Sequence, residues 1–285
     1  MGQARRRRDK QKADLSLVRR STPSKGGVAV AYCHPHELDA TFHGCVVQML
    51  CYDAKTKRRI IDHGDVIDTL SGPRIASARN EMCRAFLAHP HQPEWLWMVD
   101  TDMVFPRDIL DRYLEVADPD ESPIVGGLCF IGGGGSGKVE PTLKVLRQNG
   151  DGAPKFETIW DYPENTLVQI DATGAACLMI HRKVIKALDE KYGETSHPWF
   201  AESSNTRAEF GEDITFCIRA RDAGFPIKVH TGIRIGHVKP QVIDQDTYLE
   251  YRRGITAAEK ANPGNGEMDY AKSQLARRGT QGWVV

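Results

Sequence analysis

At 285 residues and 31.8 kDa the chain exceeds the usual single-domain size, yet one large α/β domain with insertions and loose ends accommodates it. Apolar residues make up 40% and charged residues 27%, a composition that supports a substantial core and excludes global disorder. The net charge is zero, so the chain as a whole has no electrostatic pull toward nucleic acid or an anionic membrane, and any basic partner site must be local.

The cysteines (Cys33, Cys45, Cys51, Cys83, Cys129, Cys177 and Cys217) are odd in number and form no CxxC pair, and several sit in apolar runs as small hydrophobes. This usage predicts a reducing compartment. No stretch has signal-peptide character and none approaches the roughly 20 apolar residues of a membrane helix, so a cytoplasmic protein without a membrane span is expected.

Residues 1–25 carry Arg5, Arg6, Arg7, Arg8, Lys10, Lys12, Arg19 and Arg20 with few large apolar side chains, the pattern of a solvated basic tail. Ordered structure is expected from Gly27. VAVAYC reads as a buried strand, and Leu38, Phe42, Val46 and Met49 mark a helix over Glu37 to Tyr52. Val66 to Leu70 is a second strand, closed by Ser71-Gly72-Pro73; Ile75, Ala78, Met82 and Phe86 then share a helix face. Trp95 to Val99 is a third strand, after which Pro106 opens a helix bearing Ile109, Leu110, Tyr113 and Leu114. Ile124 to Phe130 is a fourth.

Beyond Gly132 the pattern loosens into a glycine-rich loop and short strands near Thr142 to Leu146, Phe156 to Trp160 and Leu167 to Ile170, where the sheet becomes mixed. Helices follow at Arg182 to Lys191 and Asp213 to Ala223, the second stopped by Gly224, then a strand at Ile227 to His230. A helix near Tyr248 and a disordered end complete the expectation. The fold class is therefore α/β, a mostly parallel sheet flanked by helices with a smaller mixed region, its ligand crevice at the carboxyl ends of the strands. The expected organisation is a basic tail (1–25), one domain (26–240) and a helical extension (241–285).

The chemistry concentrates in WLWMVDTDMVF, where Asp100 and Asp102 follow a buried strand at the crevice edge. Two neighbouring carboxylates repel unless a cation neutralises them, and hard oxygen ligands suit magnesium or manganese bound to phosphates. An Asp-x-Asp alone equally reads as helix capping. What raises it is order: a turn at Ala172-Thr173-Gly174-Ala175, then Gly211-Glu212-Asp213 at a helix start, then His237 after an apolar run. Taken singly, the acidic pair reads as compensation of the helix dipole and the histidine as structural.

At these residues the sequence resembles the GT-A glycosyltransferases, over about Gly27 to Pro240, and Ala78-Arg79-Asn80 is similar to the Ala-Arg-Asn of the large inverting family-2 enzymes. The overall pattern is similar to glycosyltransferases encoded by bacteriophages, which would act in the host cytoplasm. The resemblance implies a Rossmann-like GT-A domain that moves a hexosyl unit from a nucleoside-diphosphate sugar, with UDP-sugar favoured, to a protein or glycan hydroxyl. It implies Mn2+ or Mg2+ bound by Asp102 and His237, Asp100 on the metal or the donor ribose, Asp213 as general base in an inverting reaction and Glu212 holding the acceptor. Arg79 and Lys239 are candidate phosphate contacts, with surface ion pairs as the alternative. Base contacts are expected from Tyr32 to Pro35 and near Asp68 and Ser71.

GGGGSGK (132–138) satisfies part of a P-loop, but Val139 replaces the hydroxyl residue and Glu140-Pro141 opposes the required helix. A loop over the acceptor side is the preferred reading. His34 and His36 lack an adjoining carboxylate cluster and are left out of the metal set. Trp160, Tyr162, Trp199 and Phe200 fit either sugar stacking or the core. Two rivals remain. A sugar-nucleotide nucleotidyltransferase would carry a Gly/Arg-rich loop where Cys33-His34-Pro35-His36 stands, and a nucleic-acid-binding module would rest on the basic tail alone.

Overall fold

The computed structural model describes residues 27–60, 65–132, 139–148, 154–204, 209–239, 245–265 and 269. In chain order β1 (Val28–His34) leads to α1 (Ala40–Lys55), β2 (Val66–Leu70) to α2 (Ile75–Ala88), and β3 (Trp95–Val99) to the short β4 (Met103–Val104) and α3 (Ile109–Leu114). Next come β5 (Ile124–Leu128), β6 (Phe130–Gly132), β7 (Val139–Pro141), β8 (Lys144–Gln148), β9 (Pro154–Thr158), β10 (Leu167–Ile170) and β11 (Cys177–His181). The remainder is α4 (Arg182–Tyr192), β12 (Ser203–Ser204), β13 (Glu209–Phe210), α5 (Glu212–Asp222), β14 (Ile227–Arg234), β15 (Gly236–His237) and α6 (Gln245–Ala261).

The central sheet has seven strands in the order β10-β14-β5-β11-β3-β1-β2, with β10 and β11 running against the other five. This is the mostly parallel, helix-flanked α/β fold expected. Side-chain alternation along the strands builds two cores. Val28, Val30 and Trp97 face Phe42, Val46 and Met49 of α1 and Ile109 and Tyr113 of α3. Ala29, Ala31 and Met98 face Met82 and Phe86 of α2, Ile185 and Leu188 of α4 and Phe216 of α5. Helices thus cover both faces.

Several boundaries differ from expectation, each for a local reason. Helix α1 starts at Ala40, not Glu37, because the Asp39 carboxylate accepts from the backbone N–H of Thr41 and Phe42 at 2.8 and 3.2 Å and caps the helix there. The fourth strand breaks at Cys129 into β5 and β6. Strand β14 runs on to Arg234, its buried Ile227, Val229, Thr231 and Ile233 alternating with half-buried residues. The largest omission is β11: the expectations contain no strand over Cys177–His181, yet it lies between β3 and β5 in the sheet. It passes into α4 without a loop, with His181 both ending the strand and capping the helix through Lys183 N–H.

Gly224 stops α5 with φ +85°, as its position suggested. Helix α6 forms around Tyr248, while the basic tail and the chain end past Asp269 lie outside the described residues. The seven cysteines are free thiols, and Cys51 alone is exposed. Among the described residues no helix is long and apolar enough to cross a membrane.

Close packing at Gly127 on β5 holds the strand end that leads toward the crevice. A Cβ there would lie 2.7 Å from both Ile235 Cγ1 and the Tyr113 hydroxyl, the latter already donating to the Cys177 carbonyl at 3.0 Å. Gly127→Ala therefore overpacks the core and should lower the urea-unfolding free energy by about 1–3 kcal/mol. An unchanged midpoint would mean that Tyr113 moves aside at no cost.

Candidate active site

The chain turns sharply after β3. Asp100 N–H donates to the Ala176 carbonyl (2.9 Å) and Met103 N–H to the Asp100 carbonyl (3.2 Å), so Asp100 and Asp102 flank a tight corner at the carboxyl edge of the sheet. The corner continues into β4, which pairs with β15 so that His237 lies opposite Met103, and Val238 N–H donates to the Asp102 carbonyl at 2.8 Å. Backbone pairing across 135 residues thereby brings His237 Nε2 to 2.8 Å from Asp102 Oδ2, with Lys239 Nζ donating to the same oxygen at 3.2 Å.

The tautomer of His237 gives this contact its meaning. Its Nδ1 lies 3.0 Å from the Phe130 carbonyl, which can only accept, so Nδ1 carries a proton. In the neutral ring Nε2 then presents a lone pair to a carboxylate oxygen. Two acceptors at that separation are favoured by a cation between them, a second ring proton or a metal ion, in addition to the Lys239 ammonium on the same oxygen. An Nδ1–H to carbonyl bond is also the usual outer-shell support of a metal-bound histidine. The 2.8 Å spacing is close to the roughly 2.9 Å cis edge of an octahedral ion with 2.0–2.1 Å bonds, so Asp102 and His237 fit a divalent cation. Asp100 does not join them: among the described residues its oxygens do not converge with Asp102 and His237 as a group of three ligands.

Asp100 turns instead to Arg79. The guanidinium, on α2 and only 3% exposed, donates from Nη2 to Asp100 Oδ1 at 2.7 Å and from Nη1 to Glu212 Oε1 at 2.5 Å. Burial would lower its pKa, but Asp100 and Glu212 outweigh burial and hold it above the ordinary value, so it stays charged. Arg79 is thus a buried bridge between two acids and not a surface ion pair. The neighbouring Asn80 donates to the Phe200 carbonyl at 2.6 Å and accepts from Trp199 N–H at 3.2 Å, tying residues 199–200 to α2. The Ala-Arg-Asn segment therefore supplies one arginine to the two acids and one asparagine that anchors the core residues 199–200. Cys33 lies in the same field, but burial pushes its thiol up to about 11, which keeps it protonated and unreactive.

Glu212 and Asp213 occupy the first turn of α5, after Gly211, where the helix dipole favours acids. Their surroundings differ. Glu212 is engaged by Arg79, whereas Asp213 Oδ1 accepts from Ile214 N–H at 2.7 Å and Oδ2 lies 3.6 Å from where a Cβ on Gly174 would stand. The expected turn at Ala172–Ala175 thus borders Asp213.

On the other side, β1 and β2 end together: Ser71 N–H donates to the His34 carbonyl at 2.7 Å and His34 Nε2 lies 2.7 Å from Asp68 Oδ1. Pro35 and Asp68 are exposed, but Tyr32 is buried with its ring edge-on to Phe42, which removes most of its side chain from a ligand's reach. Trp199 and Phe200 are core residues, while Trp160 is exposed. The GGGGSGK run is no P-loop: antiparallel β6 and β7, with Gly132 opposite Val139, flank it where a strand and helix would be needed. Its other residues, 133–138, lie outside the described residues.

No protein-family model and no curated protein matches the sequence. Similar solved structures include A197 from STIV, at 13% identity and TM-score 0.42, covering 74% of this chain and 86% of that one. GalNAc-T7, solved with UDP, GalNAc and Mn2+, is similar at 12% identity and TM-score 0.47; the match covers 86% of this chain and 54% of that one, so the chain spans about half its length. The catalytic domain of Drosophila beta1,4galactosyltransferase 7, in complex with xylobiose, is similar at 13% identity and TM-score 0.38, with 78% of each chain covered.

Proposed function

We propose that the chain is a GT-A glycosyltransferase that moves a glycosyl unit from a nucleoside-diphosphate sugar to an acceptor hydroxyl with inversion, residues 26–240 forming the catalytic domain. The observation that carries this reading is the pairing of Asp102 with His237 Nε2 at a sheet edge that also gathers Asp100, Arg79, Glu212 and Asp213. Asp102 and His237 would hold Mn2+ or Mg2+, which when bound would supply positive charge against the leaving nucleoside diphosphate.

The remaining work belongs to the side chains. Lys239, already on Asp102, is within reach to contact the diphosphate. Asp100, fixed by Arg79, accepts from the donor ribose. Pro35 and Asp68 border the base, for which uridine is favoured. Glu212 keeps one oxygen on Arg79 and offers the other to the acceptor, and Asp213 takes the proton from the attacking hydroxyl.

Thermal shift and calorimetry with uridine and guanosine diphosphate sugars, with and without Mn2+, test this. Specific binding raises the melting temperature by mass action. The wild-type chain should respond to one nucleotide class only with the metal. Asp102→Ala should abolish the response with the fold intact, and His237→Ala should weaken it less, because the carboxylate brings charge as well as coordination. A metal-independent response, or none to any nucleotide sugar, would remove the assignment.

A further inference from the structure

At the opposite edge of the sheet, where the parallel strands begin, three other side chains converge. Asp65 directly precedes β2 and is 1% exposed; His89 follows the last turn of α2 and is 6% exposed; His91 lies two residues on, in the link to β3. Asp65 Oδ1 lies 3.2 Å from His89 Nε2 and 3.4 Å from His91 Nδ1, and one ligand atom from each residue falls within 4.8 Å of the others. The link is held in shape by a turn, with Gln92 N–H and Nε2 both donating to the His89 carbonyl at 3.1 and 2.7 Å.

We propose that Asp65, His89 and His91 form a transition-metal site of zinc type, separate from the crevice. The two contacts to Asp65 Oδ1, at 3.2 and 3.4 Å, match the roughly 3.3 Å edge of a tetrahedron whose bonds are 2.0–2.1 Å, the length zinc makes to histidine and carboxylate. The ligand set separates the two sites chemically. Two imidazoles and one carboxylate favour zinc over magnesium, whereas the crevice shares its ion with phosphate oxygens. Among the described residues three side chains supply the ligands.

Binding requires one proton to move. His89 Nδ1 accepts from His91 N–H at 3.2 Å, which puts the ring proton of the ion-free protein on Nε2. The ion takes Nε2, so the proton passes to Nδ1 and that long contact is lost. Once formed, the site ties the end of α2 and the approach to β3 onto the start of β2, a structural role.

The test uses the full chain, stripped with chelator, in excess Mg2+ and titrated with Co2+ and then Zn2+. The expected result is one equivalent of Co2+ with the intense visible bands of a tetrahedral site, displaced by Zn2+, and a zinc-dependent rise in melting temperature. Asp102→Ala/His237→Ala should retain the bands. His91→Ala, at a partly exposed position, should keep the circular dichroism of the wild type and weaken Co2+ beyond the roughly 10–100-fold that loss of an outer-shell partner costs. Asp65→Asn supplies a second variant, and imidazole 15N shifts should report the move of the His89 proton to Nδ1. Octahedral Co2+ spectra, or bands that vanish in Asp102→Ala/His237→Ala and persist in His91→Ala, would overturn the proposal and leave the crevice reading standing.

Discussion

Asp213→Asn should lower turnover by about two to four orders of magnitude, the range general-base catalysis contributes, while donor binding and melting temperature stay near the wild type. The two acids at the start of α5 are adjacent in sequence but not equivalent in structure. Glu212 is committed to Arg79 at 2.5 Å, and among the described residues Asp213 accepts on Oδ1 from the N–H of its own neighbour Ile214, with Oδ2 toward the space beside Gly174. A base must keep an oxygen within hydrogen-bond reach of the acceptor, and Asp213 is the acid that no cation engages among the described residues. Asparagine preserves shape and the contact with Ile214, so the variant isolates proton removal. Proton NMR of the product during early turnover should show the anomeric configuration inverted relative to the donor. Retained configuration, or near-normal turnover of Asp213→Asn, would reduce Asp213 to positioning substrate.

Arg79→Met should be the most destabilising single change at the site, about 3–5 kcal/mol, because it leaves two carboxylates facing a buried position without their shared cation. Asp100 and Glu212 keep 26% and 16% side-chain exposure, so water relieves part of the cost and the lower end of that range is expected. Arg79→Lys retains the charge but not the planar fork that serves both acids at once, and should recover only part of the loss. Urea unfolding measures the stability. Calorimetry of nucleotide-sugar binding in Arg79→Lys reads the effect on Asp100 separately. A variant as stable as the wild type would mean that the acids relax into solvent and that the bridge is incidental.

The first three strands were legible because each is a short apolar run closed by turn residues, as with Leu70 before Ser71-Gly72-Pro73. Strand β11 was not, because no Gly or Pro separates Ile180 from the helix that follows; His181 serves both elements. The extension of β14 did carry a signal, the alternation of Ile227, Val229, Thr231 and Ile233, which Gly232 and the polar residues between them obscured. At the site, residue type and order singled out Asp102 and His237, and their proximity follows from the pairing of β4 with β15. What no local pattern contains is the sharing of one arginine between Asp100 and Glu212, since the bridge from Arg79 to Glu212 spans 133 residues. The same holds for Asp65, His89 and His91, which come from three separate points in two links and become neighbours only when β2 and β3 both flank β1.

The two reversed strands change which segments wall the crevice. Along β1, β2 and β3 the chain reaches that edge by leaving a strand, so the residues that border it come after: Pro35, Ser71, Asp100. Along β10 and β11 it reaches the edge before entering, so the residues just before Leu167 and Cys177 stand there instead, and Gly174 comes beside Asp213. Under the proposed function this separates recognition into two exchangeable sets of links. Grafting the links that follow β1 and β2 should retune the donor base, whereas grafting those that precede β10 and β11 should retune the acceptor, with the sheet between them left intact as a common chassis.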